Sequence, residues 1–197
     1  MEYTAAGVKY QLWFGEMRDT VRLYKEHGWD ETRRMVIDEN LYQQKDRSRI
    51  VSEFGCIQRR IQALPDGIQD YMLTADMSTA KLIALIARMS MDKMFFEVMY
   101  EIYRERIRME DSEITVAQVD TLFYEKERQD ETVAAWTEAT QKKLRQMYLK
   151  SMEDAGILRK DTLNCRTIVK PFIEQELRDL LIWNRMESYL YALTGER

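Results

Sequence analysis

Apolar residues return every three or four positions along most of this chain, the spacing that gathers side chains on one face of an α-helix. After an irregular lead-in of about ten residues, Trp13, Met17, Val21 and Tyr24 predict a helix over about 11–27, with Gly28 ending it. Asp30 or Thr32 is suited to cap a second helix that carries Met35, Val36, Leu41 and Tyr42. The polar break 43–48 leads to a third helix over about 48–63, with Ile50, Val51, Phe54, Ile57, Ile61 and Leu64 inward. Leu64-Pro65-Asp66-Gly67 is a firm stop. A short helix is expected at 66–75. Ser78 then caps KLIALIARMSM, the most apolar helix and so the central one. Phe95, Val98, Met99, Ile102 and Tyr103 extend a longer helix to about 108. Thr115-Val-Ala-Gln118 reads as a capping box opening a helix to about 128.

From Thr137 to Lys170 the pattern changes character. Leu144, Met147, Tyr148, Met152 and Ala155 share a helical face, and Gly156 follows as a C-terminal glycine. Two short apolar runs, 157–158 and 167–169, flank the polar turn 160–164 and predict a β-hairpin. Helix, glycine and hairpin is the order of a winged helix. Pro171 suits the first turn of a last helix with Phe172, Ile173, Leu177, Leu180 and Leu181 inward, and Trp183, Tyr189, Leu190, Tyr191 and Leu193 predict a tail that packs down. The expected fold is mainly α: a multi-helix bundle with helix-turn-helix and winged-helix-like elements and one hairpin near 157–169. It divides into a helix-turn-helix-like region 1–64, a central acidic region 65–135 and a winged-helix-like region 136–197, packed as one unit.

Charge sharpens this picture. The chain carries a net −4, yet 137–170 holds eight bases against four acids, and 33–60 holds seven against four. The stretch 91–131 holds twelve acids and six bases. Basic patches concentrated on an acidic protein point to an anionic partner more sharply than a uniformly basic composition does. Two helices joined by a loop rich in Arg, Lys, Gln and Ser fit a helix-turn-helix at 33–60, and a plain helical hairpin with a solvated loop fits equally well.

Other chemistry finds little support. His27 is the one histidine, and with Cys56 and Cys165 far apart there is no zinc pattern. There is no Gly-rich phosphate loop, no G-x-S-x-G and no H-E-x-x-H, and no Lys follows an acid by two positions as two-metal nucleases require. No enzyme activity, metal or cofactor is expected. The longest apolar run, Leu82 to Ala87, is far short of the roughly 20 residues that span a bilayer. The N-terminus lacks a signal-peptide pattern, so a cytoplasmic protein with reduced thiols is expected.

Short segments along nearly the whole chain carry a family resemblance: Glu16, Tyr24 with Gly28-Trp29, Glu39-Asn40-Leu41, Ser48, Arg59-Arg60-Ile61, Leu64, Phe96-Glu97-Val98, Ile114-Thr115 with Phe123, Thr140 with Lys143-Leu144-Arg145, and Glu153-Asp154-Ala155-Gly156-Ile157-Leu158. In order and spacing they resemble the BrxA family of bacterial BREX phage-defence systems. The resemblance implies a small, helical, non-enzymatic DNA-binding component that works beside a methyltransferase, an ATPase and a phosphatase-like protein.

The candidate contacts to double-stranded DNA rest on charge and position. In the first basic region they are Arg33, Arg34, Gln43, Gln44, Lys45, Arg47, Ser48 and Arg49. In the second they are Lys142, Lys143 and Arg145 on the helix, with Arg159, Lys160 and Arg166 on the wing. The alternative from another class is an assembly adaptor whose acidic middle docks on a basic partner of the same system.

Overall fold

Capping side chains decide where most of these helices begin, sometimes two residues from where hydrophobic spacing alone would start them. In the computed structural model, which describes residues 1–196, the lead-in contains a 3₁₀ turn at Ala5–Lys9 capped by Thr4. Helix α1 spans Phe14–Asp38. The break expected at Gly28 is a kink within it. Gly28 takes φ 77° and ψ 172°, a conformation that costs a residue without Cβ little, and the Thr32 hydroxyl donates to its carbonyl at 2.8 Å. Leu41 and Tyr42 lie beyond the helix. Tyr42 instead reaches back to share a hydrogen bond with Thr20 at 2.6 Å.

Helix α2 spans Arg47–Gln62 and is capped by Asp46, whose carboxylate accepts from Ser48 N–H at 2.6 Å. The connection between α1 and α2 covers residues 39–46. That is longer than the three- or four-residue turn of a helix-turn-helix, so this region is the helical hairpin of the two readings. Val36, Ile37, Ile50 and Phe54 form its own small core.

Helix α3 spans Asp66–Thr74, and α4, Met77–Met89, is capped by Asp76 rather than Ser78. Every residue from Leu82 to Met89 is buried, as expected for the central helix. Helix α5, Lys93–Glu97, runs into a π-helical turn at Val98–Tyr103 and then α6, Arg104–Arg108. The wider turn brings Val98, Met99, Ile102 and Tyr103 all to the core.

Strand β1, Glu113–Thr115, precedes α7, Val116–Glu127. Thr115 ends the strand and begins the helix with a complete capping box. The short α8, Glu131–Ala134, leads to α9, Glu138–Asp154. Gly156 (φ 81°) closes α9 with a Schellman pair: Ile157 N–H donates to the Met152 carbonyl at 3.1 Å and Gly156 N–H to Glu153 at 3.0 Å. Strands β2, Leu158–Lys160, and β3, Cys165–Ile168, form the expected hairpin. The sheet is antiparallel in the order β1-β3-β2, with Ile114 opposite Arg166 and Leu158 opposite Ile168.

The last helices are α10, Gln175–Trp183, and α11, Glu187–Thr194. The helix expected at Pro171 starts four residues later, where Glu174 accepts the Tyr71 hydroxyl. Phe172, left ahead of that helix, is therefore 83% exposed, and Trp183, the last residue of α10 and expected to pack down, instead lies off the face of Leu177 and Leu181 and is 87% exposed, while Leu177, Leu181, Leu190 and Leu193 pack down. One core cluster draws residues from Leu12 to Leu193, so the three sequence regions differ in charge but share an interior. Among the described residues no helix is long and apolar enough to cross a membrane.

Candidate nucleic-acid interface

The two basic stretches meet at a groove that the lead-in builds. Gly7 is buried in the 3₁₀ turn, where an added Cβ would lie 2.8 Å from the Asp92 carboxylate and 3.1 Å from Leu144 of α9. The lead-in therefore sits flush on α9 because residue 7 has no side chain. Its far end is pinned by Arg60. That buried guanidinium donates from Nη1 to the carbonyls of Gln11 and Leu12, both at 2.9 Å, and lies 5.4 Å from the Trp13 ring centroid. Between the lead-in, the start of α2 and α9 runs a groove of about 440 Å³. Lys9, Arg49 and Lys143 line it, with Ser48, Ser52 and Gln11 between them. Each of the three cations is exposed and forms no ion pair among the described residues. On α9 the exposed positions Lys143, Gln146 and Lys150 share a stripe, and Lys150 is paired with Asp154 at 2.8 Å.

The other candidate residues separate into free and committed groups. Lys45, Lys142, Arg159 and Lys160 are exposed without an ion pair among the described residues, as is Arg33. Arg34 is held by Glu31 at 2.6 Å and Glu39 at 3.2 Å, and Arg47 by Asp38 at 2.7 Å. On the α1–α2 hairpin Arg34 and Arg47 are thus neutralised internally, while Arg33 and Lys45 stay free among the described residues. Gln43 is exposed in the left-handed region, and Gln44 donates to Glu53 at 3.0 Å. Arg145 is mostly covered and pairs with Asp120, tying α7 to α9. Arg166 pairs with Glu153 at 2.9 Å and donates to the Leu163 carbonyl, tying β3 to α9. These two arginines position the helix and the hairpin.

The acidic middle is also partly consumed internally. Glu97 and Glu101 converge on buried Lys126, Asp111 pairs with Arg106, and Glu105 pairs with Arg108 at 2.8 Å. Glu110, Glu113 and Glu125 remain exposed. One carboxylate stands apart. Glu53, 1% exposed, lines the basic groove with Oε2 accepting from Gln44 and Oε1 without a partner. Burial, with help from Glu16, pushes its pKa from 4.5 up to about 7, against the pull of Arg49 and Arg60. Sequence reasoning missed both Glu53 and Lys9. Lys9 lies in a lead-in with no periodicity to place it. Glu53 gave one available signal, an acid one helical turn after Arg49. Among the described residues no cluster of three His, Cys, Asp or Glu side chains is arranged to hold a metal.

The sequence model of the BrxA family matches residues 1–185. A BREX protein BrxA from Bacillus cereus (strain H3081.97) is 30% identical over 186 residues, covering 94% of this chain and 92% of that protein. The crystal structure of an uncharacterized protein from Magnetospirillum magneticum shares the fold, with a TM-score of 0.82 at 15% identity over 100% of both chains. The chain belongs to the BrxA family.

Proposed function

We propose that this chain is a non-enzymatic DNA-binding accessory component of a BREX-type phage-defence system, working in the cytoplasm and gripping duplex DNA through its phosphates. The BREX setting follows from the similar protein of Bacillus cereus. The observation that carries the DNA reading is the groove in which Lys9, Arg49 and Lys143, from three separate parts of the chain, lie together. Unpaired lysines and arginines lining a groove attract a polyanion and release its counterions. The run β1, α7, α8, α9, β2, β3, with β1 and β2 flanking β3, follows the order of a winged helix. In that order α9 is the helix offered to the duplex, and Arg159 and Lys160 sit on the wing. At ~1.5 Å per residue, Lys143 lies roughly 17 Å along α9 from its last residue, Asp154, about half the ~34 Å repeat of a duplex. The proposed duplex runs along this length of α9, from the groove to the wing.

Phosphate contact of this kind carries little sequence information and responds strongly to salt. Neutralising about six phosphates lowers affinity on the order of a thousand-fold between about 50 and 200 mM salt. The direct test is a gel shift with random duplex and the Lys142→Glu/Lys143→Glu variant, which is expected to abolish retardation. An unchanged shift removes α9 from the interface.

A second reading, an adaptor that docks other components of the system, is favoured by the exposed aromatics Phe172 and Trp183, surface that a protein partner would cover. It predicts that Trp183→Ala abolishes co-purification with the methyltransferase, ATPase or phosphatase-like protein while DNA binding is unchanged.

A further inference from the structure

The groove between the lead-in, α2 and α9 offers more than charge. Beside Lys9, Arg49 and Lys143 it is lined by Val8, Trp13 and Met147, each half-buried. Phosphates have no use for an apolar wall. The faces of a nucleobase do, and in an intact duplex those faces are covered by the neighbouring bases. Gln11 and Ser52, exposed in the same groove, suit the polar edge of a base.

Trp13 is held in an unusual conformation. Its backbone takes φ 50° and ψ 43° where α1 begins, in the left-handed region that a bulky side chain seldom adopts. Buried Arg60 holds it there. Arg60 Nη1 fixes the carbonyls of Gln11 and Leu12 directly ahead, and the guanidinium lies 5.4 Å from the ring centroid of Trp13. Tyr10 leans on the same residue at 5.9 Å and 54°. Leu12 is buried in the core, whereas the next residue lines the groove. Strained residues fixed by their surroundings gather at ligand clamps, and a ring already fixed loses little freedom when something stacks on it.

We infer that the groove takes one unpaired nucleotide of DNA, its base stacked on Trp13 and its flanking phosphates on Lys9, Arg49 and Lys143. The site rests on the DNA reading above and specifies which part of the DNA enters it. At about 440 Å³ the groove has the size of a small-molecule site, not of a duplex. A paired base must leave its stack to enter, whereas a bulged or single-stranded base is already free, so unpaired positions are preferred. Every base has a π-face, so the site distinguishes unpaired from paired positions without reading sequence.

The test is fluorescence anisotropy of the full chain with three labelled duplexes of equal length. One is fully paired, one carries a bulged thymidine, and one carries an abasic bulge that keeps the phosphates and flexibility but lacks the base. The thymidine bulge is expected to bind about 5- to 140-fold more tightly than the abasic bulge, which is the ~1–3 kcal/mol of one base–aromatic stack at ~1.4 kcal/mol per tenfold. The salt dependence of the two should match, because stacking releases no counterion. Trp13→Leu should bring both bulges to equal affinity, and Trp13→Phe should restore part of the difference. Should Trp13→Leu fail to fold, the wild-type comparison decides alone. Equal affinity of the wild-type chain for the two bulges overturns the site and leaves phosphate binding in place. A preference that survives in folded Trp13→Leu also overturns it, because the base then stacks elsewhere. No binding to any of the three duplexes removes the DNA reading as well.

Discussion

Glu53→Gln isolates the electrostatic cost built into the basic groove. Glu53 is buried with one carboxylate oxygen unpartnered, and its pKa stands at about 7 in the fold against 4.5 unperturbed. The shift is upward, opposite to that of a salt-bridged carboxylate. Below about pH 4.5 both folded and unfolded chains hold the proton and the residue contributes nothing. Between about 4.5 and 7 the unfolded chain has released it and the folded chain has not, so stability falls as pH rises. Above 7 the full penalty applies. A shift of about 2.5 units at ~1.4 kcal/mol per unit sets a ceiling of about 3 kcal/mol. Glutamine keeps an oxygen to accept from Gln44 but places an amide N–H₂ where Oε1 lacked a partner, which costs roughly 1 kcal/mol. The variant should therefore be more stable by about 1–2 kcal/mol at pH 8, roughly 3–8 °C in Tm, with no gain at pH 4.5. Thermal melts across that range read it directly. A gain that is absent at pH 8, or equal at both ends, refutes the reasoning. The same variant should bind DNA more tightly at pH 8, because the groove then loses its one anion.

Three further outcomes follow from the packing. Gly7→Ala should destabilise by about 1–3 kcal/mol in denaturant unfolding, since its Cβ meets Asp92 and Leu144 at close range. Thr115→Ala removes the hydroxyl of the capping box and should cost about 1 kcal/mol by the same assay. Arg145→Met should lower stability by about 1 kcal/mol because it removes the Asp120 pair, yet leave the salt dependence of DNA binding unchanged. A reduced slope in that variant would return Arg145 to the DNA surface.

The helical pattern was readable because burial imposes a period on every long helix. The central α4, the capping box at Thr115 and the glycine stop at Gly156 all stand where local sequence put them. Elements that depend on distant partners were not readable. Strand β1 is three residues long, too short for alternation to declare it, and exists because β3 returns beside it. Phe172 carries an apolar signal but lies before the helix that would have turned it inward. The cap of α4 was ambiguous by two residues, Asp76 against Ser78, because the pair offers two competent acceptors. The candidate site divides the same way. The solvent side of α9 gave Lys142 and Lys143, and the three-residue spacing of Glu31 and Arg34 is a pair a sequence can disclose. The pairing of Arg145 with Asp120 spans 25 positions, and the place of Lys9 in the groove depends on a missing side chain at Gly7.

The groove is the centre of this account, and a salt titration tests it most directly. Fluorescence anisotropy with a random duplex of about 30 base pairs, at several salt concentrations, would compare the wild-type chain with Arg49→Glu/Lys143→Glu. Tight binding at low salt is expected, with log Kd rising steeply against log salt. In the double variant the slope should be shallower by about one for each DNA phosphate that is no longer neutralised. A flat salt response in the wild type, or a double variant that binds as the wild type does, contradicts the account.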